Sequence, residues 1–262
     1  MPRSLWTGAS GMVAQQTNVD VIANNIANVN TTGFKKQRTN FQDLFYDIAE
    51  SPGQRAGDLG VNPTGTQIGT GVKLSSTPRI FTAGTIAPTG VSTDMAIAGE
   101  GFFKITMPDG TDAYSRAGDF RPDADGRLVT PDGFFINPSI IIPQQATNVS
   151  VTTLGEITAL LPGSVTPQVI GQVTLAKFLN PPGLISIGRN LFQESAASGS
   201  PETGNPGKIG FGTISGGSLE NSNVEVVTEL VNMIVAQRAF EMNSKSIKTS
   251  DQMLQTANDL VR

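Results

Sequence analysis

The sequence predicts an α+β protein, with two long terminal helices, a central all-β domain and an extended irregular segment bridging them. Three observations lead there. Apolar residues recur seven apart at both ends of the chain. Short alternating runs punctuated by Asp-Gly and Pro-Asp-Gly turns fill the middle. Charged residues are only 15% of the 262, against about a quarter in an ordinary domain, while there are 29 glycines and 16 prolines.

At the N-terminus, Leu5, Met12, Val19 and Ile26 form one apolar column, with Ala9, Ile22 and Val29 beside it. The opposite face is polar and uncharged: Gln15, Asn18, Asn25 and Asn28. Asparagine is a poor helix former, and Gly8 and Gly11 read as weakening the first turns. Gly33, closing "NTTG", is placed for the left-handed residue that stops a helix.

The C-terminus repeats the pattern. Val226, Met233, Phe240, Ile247, Leu254 and Val261 form an unbroken column, flanked by Leu230, Ile234, Ala236 and Ala257. Ser222 or Asn223 is the expected cap and Glu225 the first-turn acid, so the helix runs from about Asn223 to the end, roughly 55–60 Å at 1.5 Å per residue. Two ordinary helices packed on the central domain would carry broader stripes. The narrow columns favour long helices packed along one another, a coiled-coil-like layer.

Between the helices the organisation reads as follows: 1–45, N-terminal helix and turn; 46–94, an extended bridging segment with short strands; 95–192, the β-rich domain; 193–218, a small-residue linker; 219–262, the C-terminal helix. The stretch from Gln54 begins with Gly, Pro, Asn and Thr, too poor in apolar residues for a core of its own. From Met95 onward strand patterns dominate: "MAIAG", "GFFKITM", "GRLVT", "NVSVTTL", "QVTLAKF".

Composition excludes much chemistry. With no cysteine and no histidine, disulfides, thiol catalysis, histidine bases and His/Cys metal sites are ruled out. A net charge of -4, with no basic run longer than Lys35–Arg38, offers nothing to nucleic acid. No stretch is apolar enough to insert into a membrane, and no cleavable export signal follows Arg3. That leaves a cytoplasmic protein or one exported by a route that cleaves nothing. The glycine-rich "GTQIGTGV", Gly65–Val72, is followed by a strand pattern rather than the helix a phosphate loop requires. "RPDADGRLVTPD" puts Arg121 where a calcium loop needs its first carboxylate, so two strands joined by an Asp-Gly turn explain it better. The loop carboxylates Glu100, Asp109, Asp112 and Asp119 have no fixed pair spacing for glycoside hydrolysis. No catalytic, cofactor or metal site is expected. What remains is contact-making.

Four blocks in order resemble the bacterial flagellar rod and hook proteins: "ANNIANVNTTGFKKQR" (23–38), "MAIAGEGFF" (95–103), "YSRAGDFRPDADGRLVTPDGF" (114–134) and "GSLENSNVEVVTELVNMIVAQRAFEMNSKSIKTSDQML" (217–254). Asn24, Asn25, Ala27, Asn28, Thr32, Gly33, Phe34, Gly99, Gly101, Phe102, Gln237 and Arg238 carry the likeness. The chain length and the segment Ser51–Val72 resemble the distal-rod branch; a proximal rod or short hook protein is the nearest alternative, and a secreted β-rich adhesin or enzyme a more remote one.

The resemblance implies a structural subunit that polymerises with copies of itself into a hollow helical shaft, helices inside and β-domain outside. It implies unfolded passage through the flagellar type III export apparatus without a cleaved signal, and a place in the basal-body rod across periplasm and peptidoglycan. The implied neighbours are proximal rod proteins, hook protein, and P-ring and L-ring proteins. The apolar columns would then be the assembly interface, and helices so weakly supported alone would order as neighbours cover them.

Overall fold

The computed structural model describes residues 3–53, 64–163 and 166–260. It has two helices and a mostly β middle, an α+β architecture. The chain divides into two compact units: Met1–Ile26, Gln37–Pro78 and Val226–Arg262 in one, Ala27–Lys36 and Arg79–Glu225 in the other.

The first unit holds helix α1 (Arg3–Ala27) and helix α2 (Val226–Leu260). They run antiparallel: Ser4 Oγ lies 3.0 Å from Ser250 Oγ near one end of α1, and Asn25 Nδ2 lies 3.4 Å from Glu229 Oε2 near the other. Between these points Gly8 faces Ile247 and Gly11 faces Asn243. A Cβ on Gly8 would fall 2.9 Å from Ile247 Cγ1, and one on Gly11 2.8 Å from Asn243 Nδ2. The two glycines, read from sequence as helix-weakening, therefore sit where the helices come closest. Replacing Gly8 by leucine is expected to push α1 off α2 and lower the helical content of the isolated chain, by circular dichroism, with alanine, whose Cβ meets Ile247 Cγ1 at 2.9 Å, doing so to a smaller degree.

The same unit contains a two-stranded ribbon. Strand β1 (Asn40–Asp43) pairs with β4 (Val72–Ser76), and β2 (Tyr46–Glu50) with β3 (Thr66–Gly69), all antiparallel. Leu44 N–H donating to Gly71 O (2.9 Å) and Thr70 N–H donating to Phe45 O (3.2 Å) make the two pairs continuous. Every side chain of β2 is exposed, as expected of a segment with no core of its own. Within Ser51–Val72, residues 54–63 lie outside the described residues. The ribbon's base is tied to α1: Thr39 Oγ1 donates to Asn18 Oδ1 (2.6 Å), Val72 N–H donates to Ser10 Oγ (3.3 Å), and Arg3 pairs with Asp47.

The second unit is built on strands β5 (Ile86–Pro88), β6 (Met95–Ala98), β7 (Phe102–Thr106) and β8 (Asp112–Ser115). β7 and β8 pair at the centre of the largest sheet. Leu191–Gln193 and then Ile185–Gly188 extend it beyond β8. Phe135–Ile136 and Leu175–Lys177 pair with β7 on its other side. A three-stranded meander (Asn148–Val151, Glu156–Leu160, Gln168–Gln172) stands apart from this sheet. Alternation along β7 gives it two buried faces. Phe103 joins Met95, Phe120, Ile157 and Ile214 in the main core, while Phe102 joins an aromatic cluster with Tyr114, Phe178 and Phe192.

In the stretch read as a linker, Glu202–Gly204 pairs with Leu175–Lys177 and Thr213–Gly216 pairs with β6. Only Ile214 of the second strand is fully buried, so small residues hid the alternation. The Asp-Gly turn expected at Asp123 is present. Its Oδ1 accepts the N–H groups of Asp125 (2.9 Å) and Arg127 (2.8 Å), which commits that carboxylate to the hairpin. Three of the four loop carboxylates are likewise engaged: Glu100 with Lys177 (2.6 Å), Asp112 with Lys104 (2.9 Å), and Asp109 with its own turn through Thr111 (2.6 Å).

Candidate assembly site

Where α1 ends, one asparagine does the work of a clamp. Asn25 is buried; its Oδ1 accepts the Gln37 N–H and its Nδ2 donates to Gln37 O, both 2.9 Å. The chain that leaves the helix is thereby brought back against it, and the exit polypeptide gains a two-point bond that aspartate or leucine could not supply. Asn28 closes the intervening turn, taking Thr31 N–H on its carbonyl and Thr31 Oγ1 on its side chain, both 3.2 Å. Asn25 thus fastens the returning chain to the helix end within the single chain.

In the β-rich unit the next residues meet the strand that precedes α2. Gly33 has φ +67, and its N–H donates to Glu220 O at 2.8 Å. A Cβ there would lie 2.5 Å from Ala117 N, so glycine is required by conformation and by space. Phe34 is buried under the Arg79 guanidinium, 5.3 Å from its ring centre. Lys35 and Glu220 form an ion pair at 2.6 Å, with both side chains 0% exposed. Lys35 Nζ also donates to Thr82 O (2.8 Å), and Glu220 Oε1 also accepts the Gly84 N–H (2.8 Å). Arg116, itself buried, places Nε 3.5 Å from Glu220 Oε2 and donates from Nη2 to Gly99 O (2.8 Å). Arg116 Nη1 and Glu220 Oε2 have no hydrogen-bond partner among the described residues.

Three residues from three of the signature-like blocks thus share one buried charge cluster. The residues predicted as signature include Gly33 and Phe34 but miss Lys35, Arg116 and Glu220. The available signal was their presence in a chain with so little charge, inside blocks otherwise made of small and apolar residues. Asn223, expected as an α2 cap, is not one. Its Oδ1 accepts the Lys36 N–H and its Nδ2 donates to Ile80 O, both 2.8 Å, stitching two segments together. Ser222 Oγ accepts the Val224 N–H (3.3 Å), ahead of the helix start at Val226.

Burial pushes the Lys35 ammonium below its ordinary 10.5, against the pull of Glu220 and with the push of Arg116. The unfolded chain therefore holds that proton more tightly than the folded one, so the folded state gains stability as pH rises from Lys35's depressed value toward 10.5. Measured by denaturant unfolding, wild type is expected to gain stability over that alkaline window relative to Lys35→Met.

On the helices, the predicted columns fall unevenly. Ile22 is buried; Leu5, Met12, Val19, Ile26, Met233 and Ile247 are half-buried; Val226, Leu230, Phe240 and Leu254 are exposed; Val261 lies outside the described residues. Phe240 and Val19 line a groove of about 390 Å³ with Gln16, Gln237 and Glu241. Arg238 reaches Glu241 on the surface at 2.8 Å. Asn24 and Ala27 are exposed, and Asn28 and Thr32 half-buried. Gly99 and Gly101 flank the bend from β6 into β7, and Phe102 anchors the aromatic cluster.

Of a second apolar face of α2, sequence reading named only Ile234. Ala236 and Glu229 are buried, one turn of about 100° per residue placing them on one side. Val227, Val231, Ile234, Val235 and Met242 fall across from them, and all are exposed. Trp6 and Val13, seven residues apart on α1, are exposed as well. An apolar face of that extent is uncommon on a chain that stays alone.

Three family models match parts of the chain: flagella basal body rod protein at residues 5–35, flagellar hook protein FlgE/F/G D1 domain at 96–159, and flagellar basal body rod FlgEFG protein C-terminal at 215–260. Flagellar basal-body rod protein FlgG of Borreliella burgdorferi is 48% identical over 264 residues, covering 100% of both chains. That of Caulobacter vibrioides is 49% identical over 259 residues, 98% of this chain and 99% of its own. The chain belongs to the FlgG family of flagellar basal-body rod proteins. A flagellar hook protein FlgE of Helicobacter mustelae matches at 46% over only 140 residues, 52% of this chain and 30% of its own, whereas the two rod relatives fit end to end. The family is structural rather than enzymatic, and the matched rod segment at 5–35 ends on the Gly33–Phe34–Lys35 anchor of the charge cluster.

Proposed function

We propose that this rod protein is the subunit of the distal rod, polymerising with itself into a rigid, hollow helical drive shaft that carries motor torque to the hook. Its terminal helices pack as a coiled-coil-like inner layer around the export channel, with the β-rich unit outside. The observation that carries the reading is the bare apolar face of α2, Val227 to Met242, on a chain whose relatives are rod proteins from end to end. Contacts between unlike faces of successive copies do not close on themselves and propagate as a helix.

In that setting the chain spans periplasm and peptidoglycan, continues proximal rod proteins at one end and the hook protein at the other, and turns inside the P-ring and L-ring proteins. It reaches that site through the type III export apparatus without loss of a signal segment. Neighbouring copies complete the ordering of helices that a lone chain pairs only in part, and their late covering keeps subunits apart until assembly. The segment Ser51–Val72 bridges neighbouring copies, since its sequence is too poor in apolar residues for a core of its own.

Labelled chain in a strain lacking its own copy is expected in isolated basal bodies between proximal rod and hook, seen by electron microscopy. Its absence from basal bodies in motile cells overturns the reading. Deleting residues 51–72 is expected to cut motility and soften or truncate the rod; straight rods of normal length and normal swimming would show that the segment bridges nothing.

A further inference from the structure

The β-rich unit has a half-open cavity of about 720 Å³ that the fold leaves unfilled. Phe81, Phe102, Phe178 and Leu179 give it an apolar wall, with Lys177 and Arg116 as cations. The rings stand edge to face, Phe81 to Phe102 at 5.4 Å and Phe102 to Phe178 at 5.8 Å, so their stacking can be continued by one more aromatic. Leu179 is 97% exposed although it is a wall residue. Ile209 is fully exposed, next to Gly210, which lies beside Lys177. The one carboxylate in its lining, Glu100, pairs with Lys177 at 2.6 Å, and the Lys177 side chain stays 34% exposed.

The same chain carries a side chain shaped for such a cavity. Phe45 sits where the ribbon passes from β1 to β2 and is 90% exposed, the bulkiest apolar group so bare among the described residues. Aspartates flank it in "DLFYD", Asp43 to Asp47. Asp43 is exposed and in no ion pair among the described residues. Phe45, with the exposed carboxylate of Asp43 beside it and Asp47 held by Arg3, complements an aromatic cavity whose two lining cations, Lys177 and Arg116, outnumber its one carboxylate.

We infer that Phe45 of one copy inserts into the Phe81–Phe102–Phe178 cavity of a second copy, with Asp43 meeting Lys177 at its mouth. This rests on the rod reading and gives the β1–β4 ribbon a contact of its own, beside the one proposed for Ser51–Val72.

The chain has no cysteine, which makes the test direct. Asp43→Cys and Leu179→Cys are introduced together, sparing Phe45, and isolated rods are treated with a short bis-maleimide. A ladder of covalent multimers is expected from the double variant and from neither single one. Rods that contain the double variant but yield only monomer, including monomer joined within itself, overturn the insertion while leaving the rod assignment intact. A chain missing from basal bodies of motile cells refutes the rod assignment instead. Phe45→Ala is expected to lower assembled rods per cell by at least about tenfold, and Phe45→Tyr to retain them. Wild-type rod numbers with Phe45→Ala would overturn the insertion whatever the cross-linking gives.

Discussion

Glu220→Ala is expected to be the most destabilising single substitution in the β-rich unit. It leaves the Lys35 ammonium and the Arg116 guanidinium buried, 2.6 and 3.5 Å from a carboxylate that is no longer there, and deprives the Gly84 N–H of its acceptor. Removing one partner of a buried ion pair costs about 3–5 kcal/mol, because the other charge stays desolvated. For a folding unit of this size that corresponds to a fall of roughly 6–20 °C in Tm, readable by calorimetry at neutral pH. Glu220→Gln separates the two contributions: it keeps an acceptor for Gly84 but not the charge, so it should fall between wild type and alanine. Combining Glu220→Ala with Lys35→Met should regain part of the loss, since only Arg116 is then uncompensated and its Nη2 still bonds Gly99 O. If Glu220→Ala melts with wild type, the cluster does not hold the unit together.

The cluster explains why some of this protein was legible in its sequence and some was not. Helix periodicity depends on residues close in sequence, so both helices could be read from their columns. The direction each helix turns depends on its neighbours. The seven-residue column of α2 is therefore only half covered, and the buried positions are Ala236, which the pattern sets beside the column, and Glu229, which no apolar pattern singles out. Asn25 illustrates the same limit. An asparagine in a helix reads as a flaw, and its value appears only when Gln37, twelve residues on, comes back to meet both ends of its amide. The hairpin turn at Asp123 was readable because every donor and acceptor lies within four residues. The pairing of β2 with β3 was not, because β2 is exposed throughout and carries no alternation. Lys35, Arg116 and Glu220 are separated by 81 and then 104 positions, a distance over which composition hints at buried charge but cannot match the partners.

The second large effect is expected at Val231→Asp, and it should appear only on assembly. Val231 is exposed in the single chain, so its replacement should leave monomer stability within about 0.5 kcal/mol of wild type and the circular dichroism unchanged. Buried against a neighbouring copy, an unpaired carboxylate costs about 2 kcal/mol or more, at least about a 30-fold loss of affinity at each contact. Every subunit in a helical array repeats that contact, so rods should be absent and cells non-motile. Ile22→Asp is the control of opposite kind. Ile22 is already buried within the single chain, so a carboxylate there should unsettle the helices before any neighbour arrives, and the isolated chain should lose helical signal. A monomer that keeps its helices with Val231→Asp and loses them with Ile22→Asp would separate the face that folds the subunit from the face that joins it to the next. Normal rods from Val231→Asp would mean that the bare stripe of α2 faces the channel or solvent, and that polymerisation rests on other surfaces.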